Sequence, residues 1–320
     1  MTRSDSAPSP AYDELPRLEE LGARHSWDHF GRDDELGTMG RVTDAKVIES
    51  LAEAVDGRRI NLTLPVGTID PPFYGREAVE LRFLQTDRNT WDDRLDSLYP
   101  QGGSQWDGLR HVRAREFGYY GGRLADPPDL GAEIGIQRWA ERGILTRGVL
   151  LDVDAHFRRA GAPLDALEPV AVTAQTLRRT AQEQGVELRE GDVLCVRFGW
   201  LAAYRAMSRS EREHYAASRP LLRYAGLAAD EEMAAYLWDN RLAGVALDNP
   251  AAEVSPGDPR VGSLHRRLIP LLGFAIGELF DFEELASACA ADGRWSFLLV
   301  SVPLDVVGGV GSPANAVAVR

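Results

Sequence analysis

The sequence predicts an α/β fold, a mixed β-sheet with helices packed on it in a single domain, on three observations. Short apolar runs of strand length alternate with amphipathic stretches of helix length along most of the chain. Several of those stretches carry helix start and stop residues at their ends. No internal repeat, low-complexity tract or clear linker divides the 320 residues, a length that buries a sizeable core.

Residues 1–18 are polar and rich in Pro and Ser, and read as a flexible N-terminal tail or an arm over a neighbour. The folded domain is expected over 19–320, with Trp27 and Phe30 as its first large apolar anchors. A helix is predicted over 44–55, where Val47, Ile48, Leu51 and Val55 recur at helical spacing between an N-cap at Thr43 or Asp44 and a stop at Gly57. Ile60, Leu62 and Leu64 alternate with Asn61 and Thr63, as in a half-buried strand, and a Pro- and Gly-rich loop follows over 65–75. The short apolar runs at 148–153 and 193–198 read as buried strands. Between them, 172–185 is an amphipathic helix with a Thr173 cap and a terminal Gly185. Further helices are expected over 230–239 and 265–272, and further strands over 242–247 and 296–302.

Composition narrows the function. A formal net charge of −13 argues against a nucleic-acid footprint or an anionic membrane surface, both of which need clustered positive charge, and leaves small-molecule chemistry as the default. The opening residues hold no apolar stretch of signal-peptide length, and no segment reaches the roughly 20 apolar residues of a spanning helix. A cytoplasmic location is expected. Cys195 and Cys289 lie in apolar or Ala-rich surroundings, which argues for a reducing compartment and against a disulfide framework.

The densest group of chemically capable residues runs from Gln101 to His111, as Gln-Gly-Gly-Ser-Gln-Trp-Asp-Gly-Leu-Arg-His. Glycines at 102, 103 and 108 permit tight backbone paths. Gln105, Asp107 and His111 bring an amide oxygen, a carboxylate and an imidazole within seven residues, the groups of metal ligation or acid/base work. A Gly-rich turn with polar residues is the structural alternative.

This segment resembles the signature of the superfamily that holds bacterial kynurenine formamidases and the so-called cyclases: His, any residue, Gly, Thr, His, any, Asp, any, Pro, any, His. Gly103, Ser104, Asp107 and His111 match or nearly match. Gln101 and Gln105 stand where the family usually has two metal-binding histidines, and Leu109 replaces the proline. The likeness runs from about Trp27 to the end. It is specific to a branch with Gln-Trp-Asp in the loop and Gly-Gly-Val-Gly-Ser-Pro-Ala-Asn-Ala near the C-terminus, here 308–316. Asp33-Asp34-Glu35-Leu36-Gly37, Gly191-Asp192-Val193-Leu194 and Asp248-Asn249-Pro250-Ala251 are further familial pieces.

The resemblance implies a metal site completed by His265 and Glu278, with Asp107 and Gln105 as the other ligands and His111 as the proton shuttle. An acid framed by Leu271, Leu272, Phe274 and Ile276 is also expected to be buried and partnered. The metal is manganese or zinc, with magnesium as a further option, because amides in place of two imidazoles suit harder ions. Family chemistry implies attack of activated water on an amide, formamide or lactone, placing the chain among hydrolases of non-peptide C–N bonds such as arylformamidases. A homo-oligomer, dimer or tetramer, is implied as well. Trp106, Gln101, Phe117 and Tyr120 are expected to contact substrate as a wall beside the signature. Two other classes stay open: a metal-free cyclase or dehydratase of polyketide-type metabolism using Asp107 and His111 as an acid/base pair, and an inactive binding protein.

Overall fold

Strands with apolar side chains on both faces need cover on both sides, and this requirement organises the chain. The computed structural model describes residues 9–218 and 222–320. Among the described residues the strands of three or more residues are β1 Arg59–Asn61, β2 Glu80–Asp87, β3 Thr90–Asp96, β4 Gln105–Asp107, β5 Ile144–Asp152, β6 Val193–Arg197, β7 Gly244–Leu247, β8 Ala275–Glu278, β9 Ser296–Ser301, β10 Gly311–Pro313 and β11 Ala316–Val319. All but β2 and β3 join one nine-stranded mixed sheet in the order β10-β4-β8-β7-β6-β5-β9-β11-β1. The centre, β8-β7-β6-β5, is parallel, and antiparallel strands flank it on both sides.

The central strands alternate between two cores. Val149, Leu151, Leu194, Val196, Val245 and Leu247 face one core, with Met233 and Leu237 from helix Glu231–Asp239. Leu150, Val193, Cys195 and Ala246 face the other, with Phe280, Phe282 and Phe297. Burial on both faces is why these strands read as continuous apolar runs in the sequence. The helix predicted over 172–185 spans Ala174–Gln184, with the Thr173 side chain accepting from the Thr176 N–H and Gly185 closing it in the left-handed conformation. Both cysteines are buried, and burial pushes the Cys289 thiol up to about 11. Among the described residues no helix is long and apolar enough to cross a membrane.

Three expectations are corrected. Residues 9–18 are docked rather than a loose tail: Tyr12 and Leu15 are buried in the core that holds Val149, Leu151 and Met233, the Tyr12 N–H donates to Asp239 Oδ1, and Trp238 Nε1 donates to the Pro10 carbonyl. Two large apolar side chains outweigh the polar composition around them. The tail reading for residues 1–8 lies outside the described residues.

Helix α1, Asp44–Ser50, starts at Thr43 as expected but turns Ile48 and Leu51 to solvent and Lys46 and Ser50 inward. The reason is electrostatic. Lys46 Nζ sits 2.8 Å from Asp192 Oδ1, and Arg147 Nη1 lies 2.6 Å from Asp192 Oδ2, so the buried carboxylate has two cationic partners. The expected helix over 265–272 is α-helical only at Leu264–Arg266 and continues as a π-helical stretch, Arg267–Leu272, that accommodates Pro270.

Strands β2 and β3 form a hairpin outside the main sheet. One face carries the Arg82–Asp96 and Arg94–Asp96 ion pairs, and the other carries Leu81, Phe83, Trp91 and Leu95 in exposed positions.

Candidate metal centre

The antiparallel register of β4 and β8 builds the site. Gln105 lies opposite Glu278 and Asp107 opposite Ile276, so Gln105, Asp107 and Glu278 share one face of the sheet. Trp106, one residue out of phase, points to the other face and packs on Phe280 with ring centroids 5.2 Å apart. Gly277 permits this packing, since a Cβ there would sit 3.0 Å from the Trp106 ring and 2.7 Å from Phe280. His265 arrives from the short helix after β7, whose first turn Ser263 caps by accepting from the Arg266 N–H. His111 follows Asp107 by one turn of chain, with its N–H donating to the Gly108 carbonyl at 2.9 Å.

Asp107, His265 and Glu278 each offer a ligand atom, and these atoms all lie within 4.8 Å of one another. Asp107 Oδ2 is 3.7 Å from His111 Nε2 and 3.8 Å from His265 Nε2. Both separations are too long for hydrogen bonds, and that between Asp107 and His265 is about the spacing of two groups each bound at ~2.0–2.2 Å to one ion. Asp107 is fully buried, and neither of its carboxylate oxygens has a hydrogen-bond partner among the described residues. Glu278, by contrast, is engaged at both oxygens: Oε1 accepts from the Ala252 N–H and contacts His265 Nε2 at 2.9 Å, and Oε2 accepts from Gln105 Nε2 at 2.7 Å. That bond leaves Gln105 Oε1 buried without a donor.

An acid cluster so arranged is unfavourable without a cation. Burial, then the neighbouring Glu278, pushes the Asp107 carboxyl well above its ordinary range. Burial also lowers the His111 imidazole to about 4, helped by repulsion from His265, so His111 is neutral at physiological pH. His265 moves the opposite way: burial works to lower it, but Glu253 and Glu278 hold it well above the ordinary histidine value. The orphaned oxygens of Asp107 and Gln105 therefore ring a place where one divalent cation fits the donors present.

Glu253 was not anticipated. Its carboxylate bonds His265 Nδ1, accepts from the His265 N–H at 3.2 Å and accepts from Ser263 Oγ at 2.9 Å, so Nε2 is the nitrogen presented to Asp107 and Glu278. Burial works to raise Glu253, but His265 and Ser263 pull it down to about 2. A depressed carboxylate contributes stability that is present above its unfolded value of about 4.3 and is lost as pH falls through about 2. Glu253→Gln is expected to weaken metal binding about 10- to 100-fold, read by competition with a chromogenic chelator. Unchanged affinity would show that Glu253 does not orient the ring.

The expected substrate wall is corrected. Trp106 is in the core, donating from Nε1 to Ser301 Oγ at 2.9 Å. Tyr120 is buried against Gly273 and donates to Asp34 Oδ2. Phe117 packs half-buried on the core that holds Leu150 and Phe280, and the Gln101 amide lies buried against Gly311. None of the four lines the cavity beside the signature loop, a space of about 300 Å³ bounded by Leu64, Val66, Ile69, Arg76, Tyr99 and Ser104 among others. Arg76, from the loop before β2, lines this cavity.

Two of the familial pieces outside the site have evident structural roles. Asp34 accepts from the Gly37 N–H at 2.6 Å, and Gly37 has a left-handed φ of 58° with the Gly273 carbonyl where a Cβ would go. Asp248 is buried and accepts from the N–H groups of Phe198 and Gly199.

Comparison with known proteins agrees with this architecture. No curated protein matches the sequence. Among solved structures, a novel cyclase is 28% identical, with 92% of this chain and 99% of that chain covered and a TM-score of 0.81. Isatin hydrolase A from Labrenzia aggregata, bound to benzyl benzoate, is 13% identical over 86% of this chain and 97% of that chain, with a TM-score of 0.61. Isatin hydrolase A from Ralstonia solanacearum is 13% identical over 85% and 95%, with a TM-score of 0.59. At such identities the two hydrolases establish likeness of fold. Residues 60–254, which include the signature loop and Glu253, match the putative cyclase family. With more than half of its length so matched, the chain belongs to the cyclase family.

Proposed function

We propose that the chain is a metal-dependent hydrolase that opens the C–N bond of an amide, such as an aryl formamide or a cyclic amide, or the corresponding bond of a lactone. The carrying observation is the buried Asp107 carboxylate, without a hydrogen-bond partner among the described residues and grouped with His265 and Glu278 within 4.8 Å. A buried carboxylate in that condition needs a cation. Asp107, His265, Glu278 and the free amide oxygen of Gln105 would hold the ion, and a donor set richer in oxygen than nitrogen suits manganese or magnesium as well as zinc. Bound there, a divalent ion supplies an acidified water and polarises the carbonyl under attack.

The protein's own groups supply the rest. His111, neutral at physiological pH, accepts a proton from the attacking water and returns it to the leaving nitrogen or oxygen. Gln105 holds Glu278 in place through one hydrogen bond, and Glu253 holds His265 in the ring orientation that faces Asp107. The cavity beside the loop, about 300 Å³, has room for an aryl-sized body.

Protein purified without chelator should retain a single tightly bound divalent ion per chain. Stripping it should abolish hydrolysis of a panel of aryl formamides, lactams and lactones, and manganese should restore it. Turnover dependent on His111 in protein that holds no metal would select the metal-free cyclase or dehydratase instead, the reading favoured by Gln101 and Gln105 at the family's histidine positions.

A further inference from the structure

The loop between β1 and β2 is shaped at a cost. Tyr74 has a φ of 60° and Gly75 a φ of 75°, and the left-handed region is unfavourable for a bulky side chain. Surrounding contacts hold it there. Tyr74 Oη lies 3.0 Å from Tyr224 Oη, and Phe73 is wedged edge-on against Trp200, Tyr204 and Tyr215.

The turn delivers Arg76, half-buried, to the rim of the 300 Å³ cavity. Its guanidinium sits 5.3 Å from the centre of the Tyr74 ring, a stacking contact that positions the group while leaving its N–H donors free. Among the described residues Arg76 makes no ion pair and no side-chain hydrogen bond, although the chain holds 49 acids against 36 lysines and arginines. The same cavity is bounded by Gly102, Gly103 and Ser104, the loop that leads directly into Gln105 and Asp107, so Arg76 faces the signature segment across it. Asp70 and Glu77 share the cavity rim, and Glu77 is engaged by Ser97 Oγ at 2.6 Å. An anion entering the cavity therefore meets Arg76 as the cationic point of its lining.

We propose that Arg76 is the substrate-recognition residue of this centre and that the substrate is an aryl-sized amide or lactone bearing a carboxylate close to the bond that is cleaved. The planar guanidinium fork matches a carboxylate in a bidentate pair. This inference rests on the hydrolytic reading for what happens next, but not for binding.

The test uses the manganese-loaded full chain and two isosteric probes, benzoate and neutral nitrobenzene, titrated by calorimetry. Wild type should bind benzoate at least about tenfold more tightly than nitrobenzene. Arg76→Gln should weaken benzoate about 10- to 100-fold, the loss of a charge-assisted pair, and leave nitrobenzene binding and the melting temperature unchanged. Arg76→Lys should recover part of the loss. The preference should persist in metal-free protein, which separates Arg76 from direct ligation of the probe by the ion. Equal binding of the two probes by wild type, or benzoate affinity indifferent to Arg76→Gln, overturns the proposal. If benzoate recognition follows Arg76 while neither N-formylanthranilate nor formanilide is hydrolysed, the assignment of Arg76 stands and the hydrolytic reading falls.

Discussion

Asp107→Asn is expected to empty the centre of metal and lower kcat/KM at least about 1,000-fold, a loss on the scale of removing a principal electrostatic group, while making the metal-free protein more stable than metal-free wild type. The two effects share one cause. Asp107 is fully buried, its oxygens lack hydrogen-bond partners among the described residues, and Glu278 stands on the same sheet face. The carboxylate is useful only to a cation and costly without one. Its pKa is raised by burial and by Glu278, so its favourable contribution to metal-free stability is full below the unfolded value of about 3.9 and is lost as pH rises toward the folded value. The neutral amide has no such slope. The stability gap between variant and wild type should therefore widen from pH 5 to pH 8 in chelated samples, by roughly 1–3 kcal/mol, the usual cost of an unsatisfied buried polar group. Elemental analysis and thermal denaturation with and without chelator check both halves. A variant that keeps its metal, or a chelated variant that melts lower than chelated wild type, would remove Asp107 from the centre.

His111→Ala should lower kcat about 100- to 10,000-fold, the range of a lost general acid/base group, with metal content and KM nearly unchanged. His111 Nε2 lies 3.7 Å from Asp107 Oδ2, so it borders the ligand cluster without joining the three groups that gather within 4.8 Å. Burial, aided by His265, lowers it to about 4, so it remains a proton acceptor well below the ordinary histidine value of about 6.5. The protonated form cannot accept, so the acid limb it controls should fall as pH drops toward 4, and the rate should hold across pH 5–7. Steady-state rates over pH 4–8 test this. An acid limb centred near 6.5 that vanishes in His111→Ala would show that the imidazole is not desolvated as the structure has it.

The central strands and the helix Ala174–Gln184 were legible because their signals are local: apolar runs, a Thr cap, a terminal Gly. Helix α1 shows where such signals stop. Spacing identifies an apolar stripe but not its destination, and the inward face was set by Lys46 meeting Asp192, some 146 residues away in sequence. The hairpin Glu80–Asp96 was missed because its period-two apolar residues are diluted by Arg and Asp and owe nothing to the main core. At the site, the His265 and Glu278 positions were legible through family resemblance. The placement of Trp106 as a substrate wall failed for a simple reason. Read as a strand rather than a loop, Gln105-Trp106-Asp107 already puts Trp106 on the face opposite its neighbours. Glu253 carried the signal used for Glu278, an acid within the apolar stretch Ala251-Ala252-Glu253-Val254, and its partner twelve residues on is His265. Arg76 carried no such signal, since only the turn at Tyr74 and Gly75 brings it to the cavity.

Lys46 is the single lysine of the chain, and its ammonium is locked against Asp192 beneath helix α1. Acylating dyes and crosslinkers, which need a free neutral amine, consequently find no exposed lysine on the native surface. Label reaching position 46 reports on breathing of the corner where α1 meets β5 and the start of β6. The molecule thus carries its own reporter of local opening.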